Sequence, residues 1–173
     1  MVKEKPLPTD VISLAQTLIR IPSPSGGEAG MARFVSRFFR EADFDCVIDA
    51  ANTVVAWHTF GPGPIVLFDG HIDTVSVDAA RWRTSPYGGT VEVGRFHGRG
   101  ASDMNGAFAA MMVAAPTLVR EVCCGQRGLA GTLVVTGTSW EKVTQDMRSV
   151  APLWSWRIGV CVLPLSSLAR PRI

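Results

Sequence analysis

One stretch of the chain decides its fold: Val66-Leu-Phe-Asp-Gly-His71-Ile-Asp73-Thr-Val75. The continuously apolar run Ile65–Phe68 is typical of a strand in the middle of a sheet that is covered on both faces. In extended backbone, residues two apart point to the same face, so His71 and Asp73 are expected on one side of the strand end. Imidazole and carboxylate groups are ligands of zinc and similar divalent ions. The stretch therefore predicts a buried strand that ends in a candidate metal site.

The flanking sequence predicts helices and further strands. Apolar residues recur at helical spacing through residues 8–20 and from Met31 to about Ala42. Before the second helix, Ser25-x-x-Glu28 matches the capping box that often begins a helix. The remaining predicted elements are strands at 44–49, 53–59 and 132–136, an extended pair at 90–97, and a helix at 107–122. This order predicts an α/β domain of three layers, with helices on both faces of the sheet.

Two further acids are candidates for the same site. Gly98-Arg-Gly-Ala-Ser-Asp103 places a carboxylate after a turn whose glycines permit a tight backbone path. Glu141 directly follows the strand that ends near Thr138, and it is a candidate general base for metal-bound water. Ligands of open α/β sheets bind at strand ends. His71, Asp103 and Glu141 are therefore expected at one edge of the sheet.

Each of these residues also has a plain structural explanation. A lone His-x-Asp is usually a hydrogen-bonded pair within the fold, and Glu141 by its spacing alone could be a solvated surface acid. Gly98-Arg-Gly100 invites a dinucleotide-binding interpretation, but the third glycine is absent and the motif follows a predicted hairpin. The metal interpretation is favoured because the apolar strand, the His-x-Asp pair and the glycine-rich turn occur together.

Composition narrows the class of protein. The 173 residues carry a net charge of +2, and no basic stripe with aromatic residues is present, so nucleic acid is not expected as a partner. Residues 1–8 lack the apolar core of a signal peptide, and the apolar run 158–165 is too short to span a bilayer. We therefore expect a cytoplasmic protein with no membrane partner. The four cysteines form no C-x-x-C pair, which favours reduced, buried thiols.

The motifs resemble those of the co-catalytic zinc hydrolases, a family that includes acetylornithine deacetylase, succinyl-diaminopimelate desuccinylase, aminoacylase and glutamate carboxypeptidase. Phe68–Val75 is similar to the first metal-binding signature of this family. Pro86–Gly89 together with Gly98–Gly106 is similar to its second signature, and Ile21–Gly26 is similar to its opening loop. The resemblance covers residues 8–142 and implies the amino-terminal part of an incomplete, zinc-peptidase-like catalytic domain.

The resemblance also implies roles for individual residues. His71 would bind one of two zinc ions, Asp103 would bridge both, Asp73 would support His71, and Glu141 would be the general base. The bond between Asp103 and Met104 is expected to be cis. Cobalt or manganese could replace zinc. The implied reaction is hydrolysis of an amide bond in a small peptide or an N-acyl amino acid, and no oligomeric state is implied.

The sequence departs from the family near residue 142. Lys142 stands where the family has a second glutamate that binds zinc, and no histidine follows His97. Residues 142–173 contain five Lys or Arg and one Asp, with no clear helical or strand period. We therefore divide the chain into 1–142 and a divergent tail at 143–173, and one hypothesis is a shifted reading frame in the tail. The truncated chain is expected to be inactive; the alternative is a non-catalytic fragment with weak or no metal binding.

Overall fold

A computed structural model describes residues 7–126, 128–140 and, by backbone alone, 159–163. Within these ranges the chain forms three helices, seven strands and two short helical turns. The helices are α1 (Val11–Ile19), α2 (Ala29–Glu41) and α3 (Gly106–Cys123), and the turns are Ala79–Arg81 and Ala101–Asn105. The strands are β1 (Asp45–Ile48), β2 (Val54–Gly61), β3 (Ile65–His71), β4 (Thr90–Glu92), β5 (Arg95–His97), β6 (Gly131–Thr138) and β7 (Gly159–Leu163).

Five of the strands form one mixed sheet in the order β1-β2-β6-β3-β7. Strands β3 and β6 are parallel neighbours, whereas the other pairs in this sheet are antiparallel. The parallel register places His71 opposite Thr138, so β3 and β6 end at the same edge of the sheet. Strands β4 and β5 form a separate hairpin, as the extended pair at 90–97 predicted.

The main core lies between the sheet and the three helices. Ala56 and Val135 are cross-strand partners that are almost fully buried, and they belong to the same hydrophobic cluster as Leu14, Phe39 and Met112 of the helices. Burying a valine, leucine, phenylalanine or methionine side chain contributes about 1.5–3 kcal/mol. The predicted α/β class is confirmed. The described helices share one face of the sheet, so a helical layer on the other face stays a prediction.

Helix α3 is unusually apolar. By length and composition only, the segment 101–123 could cross a bilayer. Its buried residues, however, include Phe108 and Met112, which pack in the same cluster as the sheet, and the core helix of a globular domain passes the same test. Cys123 and Cys124 at its end are exposed, so the expectation of buried thiols is wrong for this pair. The reason is that the helix leaves the core before it ends.

Helices α1 and α2 begin with different capping interactions. Asp10 caps α1 through a 2.8 Å hydrogen bond from the Ser13 amide to its carboxylate. The predicted capping box at Ser25 and Glu28 is wrong, because Glu28 is itself the cap residue and makes no side-chain bond to the helix. Gly26 turns the chain with φ +87°, and its amide donates to the Glu28 carboxylate at 2.8 Å. This turn directs Ser25 away from the helix.

No strand was predicted after residue 142, but β7 pairs antiparallel with residues Ile65 to Asp69 of β3. This is a correction to the prediction that residues 143–173 lack strand structure. An apolar run of five residues can pair along the open side of β3 through backbone hydrogen bonds, and these require no alternating pattern. The predicted boundary at residues 142 and 143 lies outside the described residues.

Candidate metal-binding site

The candidate site forms where β3 and β6 end together. The Ile72 amide donates to the Thr138 carbonyl at 2.8 Å, and the Thr138 hydroxyl donates to the Gly70 carbonyl at 3.1 Å. These two bonds tie the residues before and after His71 to Thr138, the last residue of β6. The His71 side chain is held at a rigid position, and only 7% of the residue is exposed. Rigid strand ends keep ligand groups in place without an ordering cost on binding.

The His71 ring lies between two acidic residues. Its Nδ1 is 2.9 Å from the Asp73 backbone carbonyl and 3.5 Å from the Asp73 carboxylate. A carbonyl oxygen can only accept, so Nδ1 carries a proton and donates it. Nε2 then faces the Asp103 carboxylate at 2.9 Å. This arrangement directs Nε2 toward Asp103, and a backbone partner on the other ring nitrogen is the usual support of a metal-binding histidine.

Asp73 is the buried support of the site. Only 1% of the residue is exposed, and the Ser25 hydroxyl donates to its carboxylate at 2.7 Å. The backbone joins the same two segments, because the Thr74 amide donates to the Ser23 carbonyl at 2.8 Å and the Ser25 amide donates to the Thr74 carbonyl at 3.2 Å. Sequence reasoning assigned Ser25 to a helix cap and missed this contact. Its only signal was the similarity of residues 21–26 to the family's opening loop.

Asp103 approaches from the second motif. Its side chain is 60% exposed, and the Asp103–Met104 peptide bond is cis, as the resemblance implied. Gly100 precedes it with φ +77°, and a Cβ there would lie 2.9 Å from a Thr74 methyl and 2.6 Å from the Asn105 amide nitrogen. The close approach of this turn to the segment after β3 therefore requires glycine. It brings Asp103 to His71 across a sequence separation of 32 residues.

Another acid lies on β3 itself. Asp69 is two residues before His71 and accepts a hydrogen bond from the Thr136 hydroxyl of the neighbouring strand. Burial raises the pKa of the Asp69 carboxyl, and the hydrogen bond from Thr136 opposes that rise. Sequence reasoning treated Asp69 only as part of the strand motif. The alternation along β3 places it on the same face as His71.

The residues present fit part of a metal site. Ligand atoms at about 2.0–2.2 Å from one zinc ion are roughly 3–3.5 Å apart, and Nε2 of His71 lies 2.9 Å from Asp103. A small opening of this pair would admit an ion, and Asp103 is exposed enough to move. The described ranges hold no group of three or more potential ligands, whereas a catalytic zinc has three protein ligands as a rule. Glu141 and Lys142 lie outside the described residues, so the structure does not place the predicted base.

The same motifs lie in the part of the chain that matches a known protein family. The family model described as peptidase family M20/M25/M40 matches residues 67–148. A succinyl-diaminopimelate desuccinylase from Cereibacter sphaeroides is 38% identical over 120 residues, which cover 66% of this chain and 32% of that protein. The region matched by the family model contains both the His-x-Asp pair and the turn that carries Asp103.

Solved structures show the same fold at low sequence identity. An M20 family metallo-carboxypeptidase from Sulfolobus solfataricus superposes with a TM-score of 0.68 at 20% identity, covering 78% of this chain and 31% of that one. Human carnosine dipeptidase 1 gives a TM-score of 0.64 at 18% identity, with 79% and 33% covered. A dinuclear metal-binding peptidase of the M20 family from Bacillus subtilis gives 0.56 at 17%, with 77% and 35% covered. The chain thus spans about a third of the length of the relatives that it matches.

Proposed function

We propose that this chain belongs to the peptidase family M20/M25/M40, whose model matches residues 67–148, and that the protein hydrolyses an amide bond with the help of a divalent metal ion. One observation supports the proposal most directly. The two motifs inside the family match bring His71 and Asp103 together at 2.9 Å, although 32 residues separate them. A hydrogen-bonded structural pair would not need an exposed carboxylate, but a ligand that receives an ion from solvent does.

Two residues would bind the ion, and two others hold the binding side chains in place. His71, through Nε2, and Asp103 would hold it. Asp73 fixes the ring through its backbone carbonyl, and Ser25 fixes Asp73. The ion would polarise the amide carbonyl and lower the pKa of a bound water. We propose Glu141 as the general base, because in the sequence it lies three residues after Thr138, the last residue of β6, which pairs with His71.

The proposed substrate is a small molecule that carries both an amide and a carboxylate. The matched relative is named for removing a succinyl group from diaminopimelate, and the similar structures include a carboxypeptidase and a dipeptidase. All three names describe cleavage next to an amino acid. We therefore propose an N-acyl amino acid or a short peptide as the substrate class, and zinc as the metal, with cobalt and manganese as alternatives.

A second candidate is metal binding without turnover. The described part of the chain supplies two ligands, and in the sequence Lys142 follows the proposed base, where an ammonium would repel a metal ion. A fragment that binds one ion weakly and cleaves nothing would account for both observations. The two candidates differ in activity and agree in their metal-binding residues, so one set of variants tests both.

The test is metal binding followed by hydrolysis. Purified chain is stripped with a chelator and titrated with Co²⁺, whose visible spectrum reports ligation, and with Zn²⁺ by calorimetry. His71→Ala and Asp103→Ala should weaken binding by at least tenfold. His58→Ala is the matched control, because His58 lies mid-strand on β2 and its ring bonds the Asp43 carbonyl. Equal binding in all three variants would overturn the metal site.

Hydrolysis of N-succinyl and N-acetyl amino acids then separates the two candidates. Cobalt-loaded or zinc-loaded chain that releases free amine supports the hydrolase, and Glu141→Ala should abolish that release while the metal stays bound. Metal binding without any release supports the second candidate. Release that persists in His71→Ala and in chelator would contradict a metal-dependent reaction.

A further inference from the structure

A cavity is formed by the two chain segments that carry the candidate metal-binding residues. It has a volume of about 380 Å³ and is lined by Ser76, Val77, Asp78, Arg81, Trp82 and Arg99. The lining comes from the same two segments that carry the site. Ser76 follows His71 by five residues, and Arg99 precedes Asp103 by four. The volume is within the range of small-molecule sites, about 300–1,000 Å³.

The walls of this cavity are positively charged. Arg81 and Arg99 contribute two guanidinium groups, whereas Asp78 contributes one carboxylate, which accepts a hydrogen bond from the Ala80 amide at 3.2 Å. The Asp78 carboxylate is therefore engaged in capping the short turn 79–81. The resulting excess of positive charge favours an anionic ligand.

The Arg99 side chain is held in place, but one of its hydrogen-bond donors has no acceptor. Its guanidinium lies over the Trp82 ring, 5.1 Å from the ring centroid, and its backbone amide donates to the Pro86 carbonyl at 2.6 Å. Its Nε is buried and has no hydrogen-bond partner among the described residues. Burying such a donor without an acceptor is destabilising, because the donor loses its hydrogen bonds to water and gains none in the protein. A bound acceptor would remove this cost, and a carboxylate pairs with Nε and a terminal nitrogen of arginine in a bidentate way.

We infer that this cavity binds a carboxylate group of the substrate, with Arg99 as its main partner, Arg81 as a second cation and the Trp82 ring as an apolar wall. The inference rests on the proposed function, because it assigns a binding role to a cavity that shares both loops with the metal site. It assigns substrate selection to residues 76–99. Substrates with a free carboxylate are then preferred over their neutral amides.

The test measures binding in the absence of metal, so that no carboxylate can bind through an ion. The full chain in chelator is titrated with N-acetyl-L-alanine and, separately, with its neutral counterpart N-acetyl-L-alaninamide, and binding is followed by calorimetry or ligand-observed NMR. We expect the acid to bind at least tenfold more tightly than the amide. Raising the salt concentration should weaken the binding of the acid alone.

Variants locate the binding. Arg99→Gln should reduce affinity for the acid at least tenfold, and Arg99→Lys should reduce it partly, because lysine keeps the charge but loses the bidentate geometry. Arg81→Gln is the second variant, since Arg81 is exposed and its replacement leaves the fold intact. Arg83→Gln is the matched control: Arg83 is exposed, two residues along the chain, and outside the cavity lining.

Three results would overturn the inference: equal binding of acid and amide, no binding of the acid at millimolar concentration, or equal losses in Arg81→Gln, Arg99→Gln and Arg83→Gln. Failure of this inference can be distinguished from failure of the proposed function. If the acid binds through Arg99 but no amide is cleaved, the cavity assignment stands and the hydrolase fails. If cleavage is observed and Arg99→Gln changes neither the affinity for the acid nor KM, the hydrolase stands and the cavity assignment fails.

Discussion

Replacing Ser25 by alanine tests whether the opening loop supports the metal-binding residues. The Ser25 hydroxyl donates to the buried carboxylate of Asp73 at 2.7 Å, and Asp73 in turn holds the His71 ring. Ser25→Ala removes one hydrogen-bond donor and leaves the backbone bridge between Pro24 and Thr74 in place. We expect lower stability and weaker metal binding, with no change of fold.

The magnitude follows from the kind of bond. A hydrogen bond to a charged group contributes about 1.5–3 kcal/mol, and a chain of this size loses about 2–4 °C in Tm for each kcal/mol. Ser25→Ala should therefore lower Tm by about 3–12 °C. Thr74→Val is the matched control, because its hydroxyl joins the same two segments through a 3.4 Å contact to a neutral carbonyl. At that length the contact is weak, and we expect a loss below about 1 kcal/mol.

Urea unfolding measures both variants against the parent chain. The free energy of unfolding should fall for Ser25→Ala with an unchanged m-value, which shows that the surface exposed on unfolding is the same. Cobalt titration of the same samples should show a lower affinity for Ser25→Ala than for Thr74→Val. A loss of stability no larger than that of Thr74→Val, together with parental cobalt affinity, would refute the supporting role of Ser25.

Three further predictions concern the turn, the first helix and the core. Gly100→Ala should cost more stability than Gly94→Ala and should weaken metal binding: both positions have φ near +75°, but a Cβ meets neighbours only at Gly100. Strain alone, about 1–2 kcal/mol, is expected for Gly94→Ala, and equal losses in urea would contradict the close approach. Asp10→Ala should destabilise the chain at neutral pH, because the Ser13 amide lowers the pKa of Asp10. That stabilisation exists above the unfolded pKa and is lost as pH falls through the folded one, so the gap between variant and parent should close below about pH 4; a gap that persists in acid would contradict it. Phe39→Ala removes a fully buried ring that contacts two other phenylalanines and should cost about 3–5 kcal/mol in urea unfolding, and a loss under 1 kcal/mol would be contrary to the described core.

The strand end was predictable because its signals are local and agree with one another. An apolar run followed by His-x-Asp requires a buried strand with polar groups at its end, and β3 ends at His71. The meeting of His71 and Asp103 was predictable from the rule that ligands bind at strand ends, helped by the resemblance. The parallel pairing of β3 with β6 determines which edge of the sheet carries the site, and no local pattern contains that information.

The errors arose where a contact between distant segments decided the local structure. Ser25 matches a helix cap by spacing, but Asp73, 48 residues away, is the partner of its hydroxyl. The strand at 159–163 has no alternation to reveal it and forms on the open side of β3. In both cases the local pattern was compatible with two structures, and pairing with a remote segment selected one of them.

The bridge between Pro24 and Thr74 couples the candidate site to the docking of the amino-terminal segment. Both backbone amides that span it, those of Ser25 and Thr74, are shielded only while residues 23–25 are docked. Any ion that binds His71 and Asp103 in this arrangement stabilises the docked state by RT ln(1 + [L]/Kd). At a hundredfold excess over Kd this amounts to about 2.7 kcal/mol. When an ion is bound, amide exchange at Ser25 and Thr74 should slow, and residues 20–30 should resist proteolysis. Metal binding could then be followed in a segment that supplies none of the ligands.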